Sequence, residues 1–186
     1  MHGIAKNITI SLIISIVLTS FALAGPPPRT PSGFTWKEVP SIKAYLLVPD
    51  GWYFKEMTHG KTKGIFITEE KISPTKNYET GLSFNAFIGN QSGQSKVVNL
   101  FEQAASKYSI KVSKNILGGF TTMYCNFLST SNPDGEKEFI AMHGFINNKT
   151  GTSYIATFKS PASEMNKKWL KGRVLIDEGI AINSKL

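Results

Sequence analysis

The stretch that decides the fold is Lys137–Lys159, KEFIAMHGFINNKTGTSYIATFK. Two apolar runs flank Asn148-Lys149-Thr150-Gly151, whose turn chemistry and hairpin length predict an antiparallel pair. In the first run Phe139, Ala141 and Phe145 fall on one side and Ile140, Met142 and Ile146 on the other. A strand that is apolar on both sides needs cover on both sides, so layers are expected above and below this sheet.

Reading outward, Phe120 to Ser129 is a third strand, joined through Asn132-Pro133-Asp134-Gly135. Toward the N-terminus, Trp36 to Val39, Lys43 to Val48, Trp52 to Met57, Gly64 to Thr68 and Leu82 to Ile88 are aromatic or β-branched runs, which favour strands. Pro49-Asp50-Gly51 and Thr58-His59-Gly60-Lys61 punctuate them as turns, and Glu69 to Thr80 is a polar loop. No internal repeat occurs. Helical periodicity appears twice. Val97, Leu100, Phe101, Ala104 and Tyr108 share one face of a helix over 95–108 with Ser95 as its N-cap. Ser160-Pro161 opens a second over 161–180, carrying Met165, Trp169, Ile176 and Ile180 and interrupted by Gly172. The expected fold is an α+β sandwich: a central antiparallel sheet of about six to seven strands between two helical layers.

The first 24 residues read differently. Lys6 is their only charge, 15 of them are apolar, and Ala22-Leu23-Ala24 places small residues where a signal peptidase cuts. Ile8 to Ala24 is 17 residues diluted by Ser and Thr, short of the roughly 20 that span a bilayer. A secretory signal cleaved after Ala24 is expected, with an uncleaved anchor as the alternative, and a periplasmic or extracellular destination. Gly25 to Gly33 holds four of the nine prolines and reads as an extended tether. Residues 34–186 are expected to form one domain.

Removing the signal leaves 162 residues with 20 bases and 13 acids. Nineteen of the 21 bases in the whole chain are Lys, with Arg29 and Arg173 the exceptions. Bidentate phosphate and base recognition belongs to arginine, so nucleic acid is an unfavoured partner. Lys167, Lys168, Lys171 and Arg173 form a basic stretch on the last helix, and Lys107, Lys111 and Lys114 another after the first. Both read first as solvated faces. The first is the candidate partner-binding surface, suited to weak, salt-sensitive attraction to an acidic partner, wall polymer or anionic lipid.

Catalytic and metal signals are sparse. The single thiol, Cys125, shares a strand face with Met123 and Phe127 and reads as a buried hydrophobe. His143 on the neighbouring strand is its one plausible partner, and pairing register decides whether the two meet. His59 is surrounded by Lys55, Lys61 and Lys63, which disfavours a metal cation. Glu69-Glu70 and Asp177-Glu178 remain carboxylate-only options. GxSxG, GxGxxG and GxxxxGK[ST] are absent, so no cofactor is expected. Trp52, Tyr53 and Phe54 read as packing rather than a ligand platform. Asn90-Gln91-Ser92 and Asn148-Lys149-Thr150 match the glycosylation sequon.

Val48-Pro49-Asp50-Gly51-Trp52 after a strand, Gly81-Leu82-Ser83-Phe84-Asn85 opening the next, the Gly144-Phe145-Ile146 to Tyr154-Ile155-Ala156-Thr157 hairpin and the terminal Pro161-to-Ile176 helix together resemble the PsbP-like group. That group includes the extrinsic photosystem II subunit and many small exported bacterial proteins. The resemblance spans Phe34 to Leu186 and implies an α/β/α sandwich with an accessory or binding role rather than catalysis. No photosystem-docking or manganese-site residue is matched, so no functional position carries over. The leading expectation is an exported, non-enzymatic module engaging a protein or envelope component. The alternatives are a thiol-dependent or hydrolytic enzyme using Cys125 and His143, and a small-ligand carrier.

Overall fold

The computed structural model describes residues 27–60, 62–72, 78–89, 91–129 and 135–182, with backbone alone for His59 and Gln91. The expected signal at 1–24 lies outside the described residues.

Strands β1 (Phe34–Val39), β2 (Ala44–Pro49), β3 (Tyr53–His59), β4 (Thr62–Thr68) and β5 (Gly81–Phe87) come first. Helix α1 (Gln91–Tyr108) follows, then β6 (Ser113–Leu117), β7 (Phe120–Ser129), β8 (Glu138–Asn147) and β9 (Ser153–Pro161). Helix α2 (Met165–Asp177) and β10 (Ile180–Ile182) complete the order. The main sheet has seven strands in the order β3-β4-β5-β9-β8-β7-β6, every pair antiparallel. A second sheet, β1-β2-β10, is also antiparallel. The fold is α+β, as expected, with this small sheet added.

The two-sided apolar pattern of β8 has the consequence foreseen for it. Phe139, Ala141 and Phe145 join Leu82, Phe84, Tyr154 and Phe158 in a core that packs against α2 and the small sheet. Met142 and Ile146 join Met123, Cys125 and Ile155 in a second core beneath Val97, Phe101 and Ala104 of α1. The sheet therefore separates two apolar layers, each closed by its own helix.

Three helix boundaries differ from expectation, and several strand ends shift by one or two residues. Helix α1 begins at Gln91, so Ser95 lies inside the helix instead of capping it, and Leu100 is exposed rather than on the buried face. Helix α2 begins at Met165 rather than at Pro161. Pro161 still belongs to β9, because it stands opposite Glu138 and the Ala162 N–H donates to the Lys137 carbonyl at 2.8 Å. A one-turn 3-10 segment, Ala162–Glu164, makes the transition. At the other end α2 stops at Asp177, and Ile180 belongs to β10 opposite Leu46 of β2.

The described part of the proline segment is fastened down: the Trp36 indole N–H donates to the Pro28 carbonyl at 2.9 Å, and the Asp50 N–H to the Gly33 carbonyl at 2.9 Å. Among the described residues no helix is long and apolar enough to cross a membrane.

Candidate functional site

Register decides the Cys125–His143 question. Tyr124 stands opposite His143 and Cys125 opposite Met142, so the thiol and the imidazole occupy opposite faces of the sheet. Cys125 lies under α1, where burial pushes its thiol up to about 11, away from the thiolate that a nucleophile requires. His143 lies under α2 and is 3% exposed. Its Nδ1–H donates to the Ile176 carbonyl at 3.2 Å, satisfying an acceptor in the last turn of the helix. Tyr124 meets the ring edge-on at 6.0 Å and Phe145 lies at 4.1 Å. Burial brings the imidazole down to about 4, against the weaker upward pull of the Ile176 carbonyl. This histidine ties a sheet to a helix, and no thiol–imidazole pair forms.

Three of the four paired carboxylates are engaged within the fold, and Glu178 is exposed. Glu69 accepts from Lys168 Nζ at 2.6 and 2.7 Å. Glu70 accepts from the backbone N–H groups of Glu79 and Thr80 at 3.2–3.3 Å, pinning the ends of the 69–80 loop. Asp177 pairs with Arg173 at 3.4 Å; burial raises its carboxyl, with Arg173 opposing. Among the described residues no three His, Cys, Asp or Glu side chains gather as a metal site would require. The imidazole of His59 and residue 61 lie outside the described residues, as does Asn90, while Asn148 is exposed in the β8–β9 turn.

Helix α2 divides its four candidate cations into two kinds. Lys168 reaches Glu69 and, one turn back, Glu164 at 3.5 Å; the hydrogen bond to Glu69 raises its ammonium above the usual value. Arg173 is engaged by Asp177. Lys167 is exposed with no ion pair among the described residues, and the Lys171 ammonium sits 5.7 Å from the Trp52 ring centroid. Trp52 and Phe54 pack on the core as expected, but Tyr53 is half exposed on the opposite face of β3. Between Lys167 and Lys171 stands Leu170, 73% exposed. An apolar group of that size, open to water on an outer helix face between two cations, is the feature sequence periodicity passed over.

Other exposed apolar side chains were equally hidden. Of the eight large apolar side chains exposed among the described residues, Ile116 and Leu117 are on β6 and Leu128 on β7, at one end of the main sheet. Leu128 stands opposite Phe139, whose ring packs edge-on against Trp169 of α2 at 4.8 Å.

No protein-family model matches the chain, and no curated protein is significantly similar to it in sequence. Solved structures resemble it to differing degrees. Cyanobacterial PsbP (CyanoP) from Synechocystis is similar over 87% of this chain and 99% of that one, with a TM-score of 0.53 and 8% identity. A Bacteroides thetaiotaomicron protein matches over 81% of this chain with a TM-score of 0.46 and 12% identity. The chain spans about half the length of that protein, 48%. LpqN, involved in cell envelope biogenesis of Mycobacterium tuberculosis, matches over 74% of this chain and 82% of its own, with a TM-score of 0.43 and 16% identity. The likeness to CyanoP gives the chain a PsbP-like fold.

Proposed function

We propose that the chain is an exported, non-enzymatic accessory module that engages a protein partner or cell-envelope component through the outer face of α2. One observation carries this reading: Leu170 is exposed between Lys167 and Lys171, two cations that no acid of the described residues neutralises. Apolar surface flanked by unpaired charge is a form that docking sites take, the apolar part supplying affinity and the charge supplying orientation and encounter rate. Lys168 and Arg173 contribute to the fold instead, through Glu69 and Asp177. The three-part layout of residues 1–24 supports export. The PsbP-like fold is in keeping with an accessory role, and the separation of Cys125 from His143 removes the dyad that a thiol enzyme would need.

The test follows from the division of the cations. Lys167→Glu with Lys171→Glu is expected to release the protein from its envelope fraction at low salt while leaving its melting temperature unchanged. Lys168→Ala is expected to leave fractionation intact and to cost up to about 1 kcal/mol of stability, the range of a partly exposed ion pair. Unchanged fractionation of the double variant would overturn the assignment of this face.

A further inference from the structure

We infer that β6 is an acceptor edge for an extended, acidic segment of a protein partner, which adds to the main sheet as an eighth strand. This rests on the reading of the chain as a binding module and locates a contact distinct from α2.

The two-residue turn Gly118-Gly119 has φ +57° and +84°, the left-handed pair of a type I′ hairpin. In such a hairpin the residues flanking the turn, Leu117 and Phe120, form a hydrogen-bonded pair, and bonded pairs alternate from there. Asn115 opposite Thr122 and Ser113 opposite Tyr124 are then bonded in turn, and the Thr122 hydroxyl does lie against the Asn115 carbonyl. The main-chain N–H and C=O groups of Lys114 and Ile116 consequently point away from β7. β6 is the last strand of the sheet, and among the described residues no strand pairs with that side. All five of its residues are exposed, Ile116 by 75%. β3 is the edge strand at the other end of the sheet, and there Ser41 donates to the Glu56 carboxylate at 3.1 Å.

Charge identifies the occupant. From Gln103 to Pro133 the chain has no Asp or Glu, yet it carries Lys107, Lys111 and Lys114. All three are exposed. A second copy of this edge would bring Lys111 and Lys114 against their counterparts, and like charges facing each other across a strand pair are destabilising. An acidic strand meets the reverse situation: opposite-charge cross-strand pairs above the sheet, new main-chain hydrogen bonds within it, and the apolar side chains of Ile116 and Leu117 on its two faces. Polyanions without strand-forming backbone, such as lipid headgroups, would use the lysines and leave the main-chain edge idle.

The experiment uses the mature chain and two labelled eight-residue peptides, one alternating Val with Glu and one alternating Val with Lys. Anisotropy titration is expected to show binding of the Glu peptide alone, weakening as salt rises. Amide exchange at Lys114 and Ile116 is expected to slow by about tenfold in the complex. Ile116→Pro removes an outward N–H that the β6–β7 ladder does not use, and is expected to abolish binding at unchanged melting temperature. Lys111→Glu with Lys114→Glu leaves the backbone alone and is expected to weaken the Glu peptide by about tenfold and admit the Lys peptide. Leu170→Asp is expected to change none of this, so failure of the α2 reading and failure of this one are separable. Equal binding of both peptides, absence of binding, or binding that survives Ile116→Pro would overturn the inference. Slowed exchange at β6 with phosphatidylglycerol vesicles but not with peptide would also overturn it, in favour of a membrane surface.

Discussion

His143 shows what one buried side chain does to the whole protein. Its folded pKa of about 4 lies below the ordinary 6.5, so the unfolded chain takes up the proton first as pH falls. The stability it protects is therefore fully present above pH 6.5 and is lost between 6.5 and 4. Urea unfolding should give about 2 kcal/mol less stability at pH 5 than at pH 7, and His143→Gln should flatten that slope. A wild-type protein equally stable at both values would refute the burial argument. Tyr154 makes a second case. Its hydroxyl is buried with no hydrogen-bond partner among the described residues, and desolvation pushes its pKa to about 12. Tyr154→Phe should therefore be neutral or stabilising by about 1 kcal/mol, whereas a loss of stability would mean the hydroxyl has found a partner. Cys125, under α1, should resist alkylation until the protein unfolds; rapid modification of the native protein would place it at the surface.

Among the elements, those whose burial leaves an imprint on the sequence were readable. Strands β8 and β9 announced both their pairing and the need for two covering layers. β6 did not, because all five of its residues are exposed and no alternation records its face. β10 escaped because Ile176 and Ile180 are four apart, a helical spacing, although the chain turns at Gly179 between them. Ser160-Pro161 resembled a helix opening but closes a strand, since the β8–β9 pairing outlasts it. Gly172 looked like a flaw in α2, and packing explains it: a Cβ there would lie 2.5 Å from the Phe158 ring. Gly172→Ala therefore sets a helix-propensity gain of about 1 kcal/mol against an overpacking cost of about 1–3 kcal/mol. Net destabilisation is expected, relieved by Phe158→Leu; a more stable variant would show the helix free to lift. The candidate site was legible only in part. The run of four cations could be seen, but which of them remain free depends on Glu69, 99 residues away from Lys168 in the chain.

At the scale of the molecule, one sheet separates two apolar cores, and each helix closes one of them. The inward residues are committed to that packing, and the reactive side chains are buried apart from one another. Among the described residues, Leu170 with Lys167 and Lys171 on α2 and the edge of β6, which no described strand pairs, lie outside that packing. The net formal charge of +8 makes an acidic counterpart the common expectation for both. The central claim is that α2 docks through Leu170. Its most direct test is a photo-crosslinking amino acid placed at position 170 in the native cells, with position 102 on the exposed side of α1 as control. A discrete adduct at 170, absent at 102 and lost when Lys167 and Lys171 are changed to Glu, is the predicted result. Adducts equal at both positions, or none at 170, would contradict it.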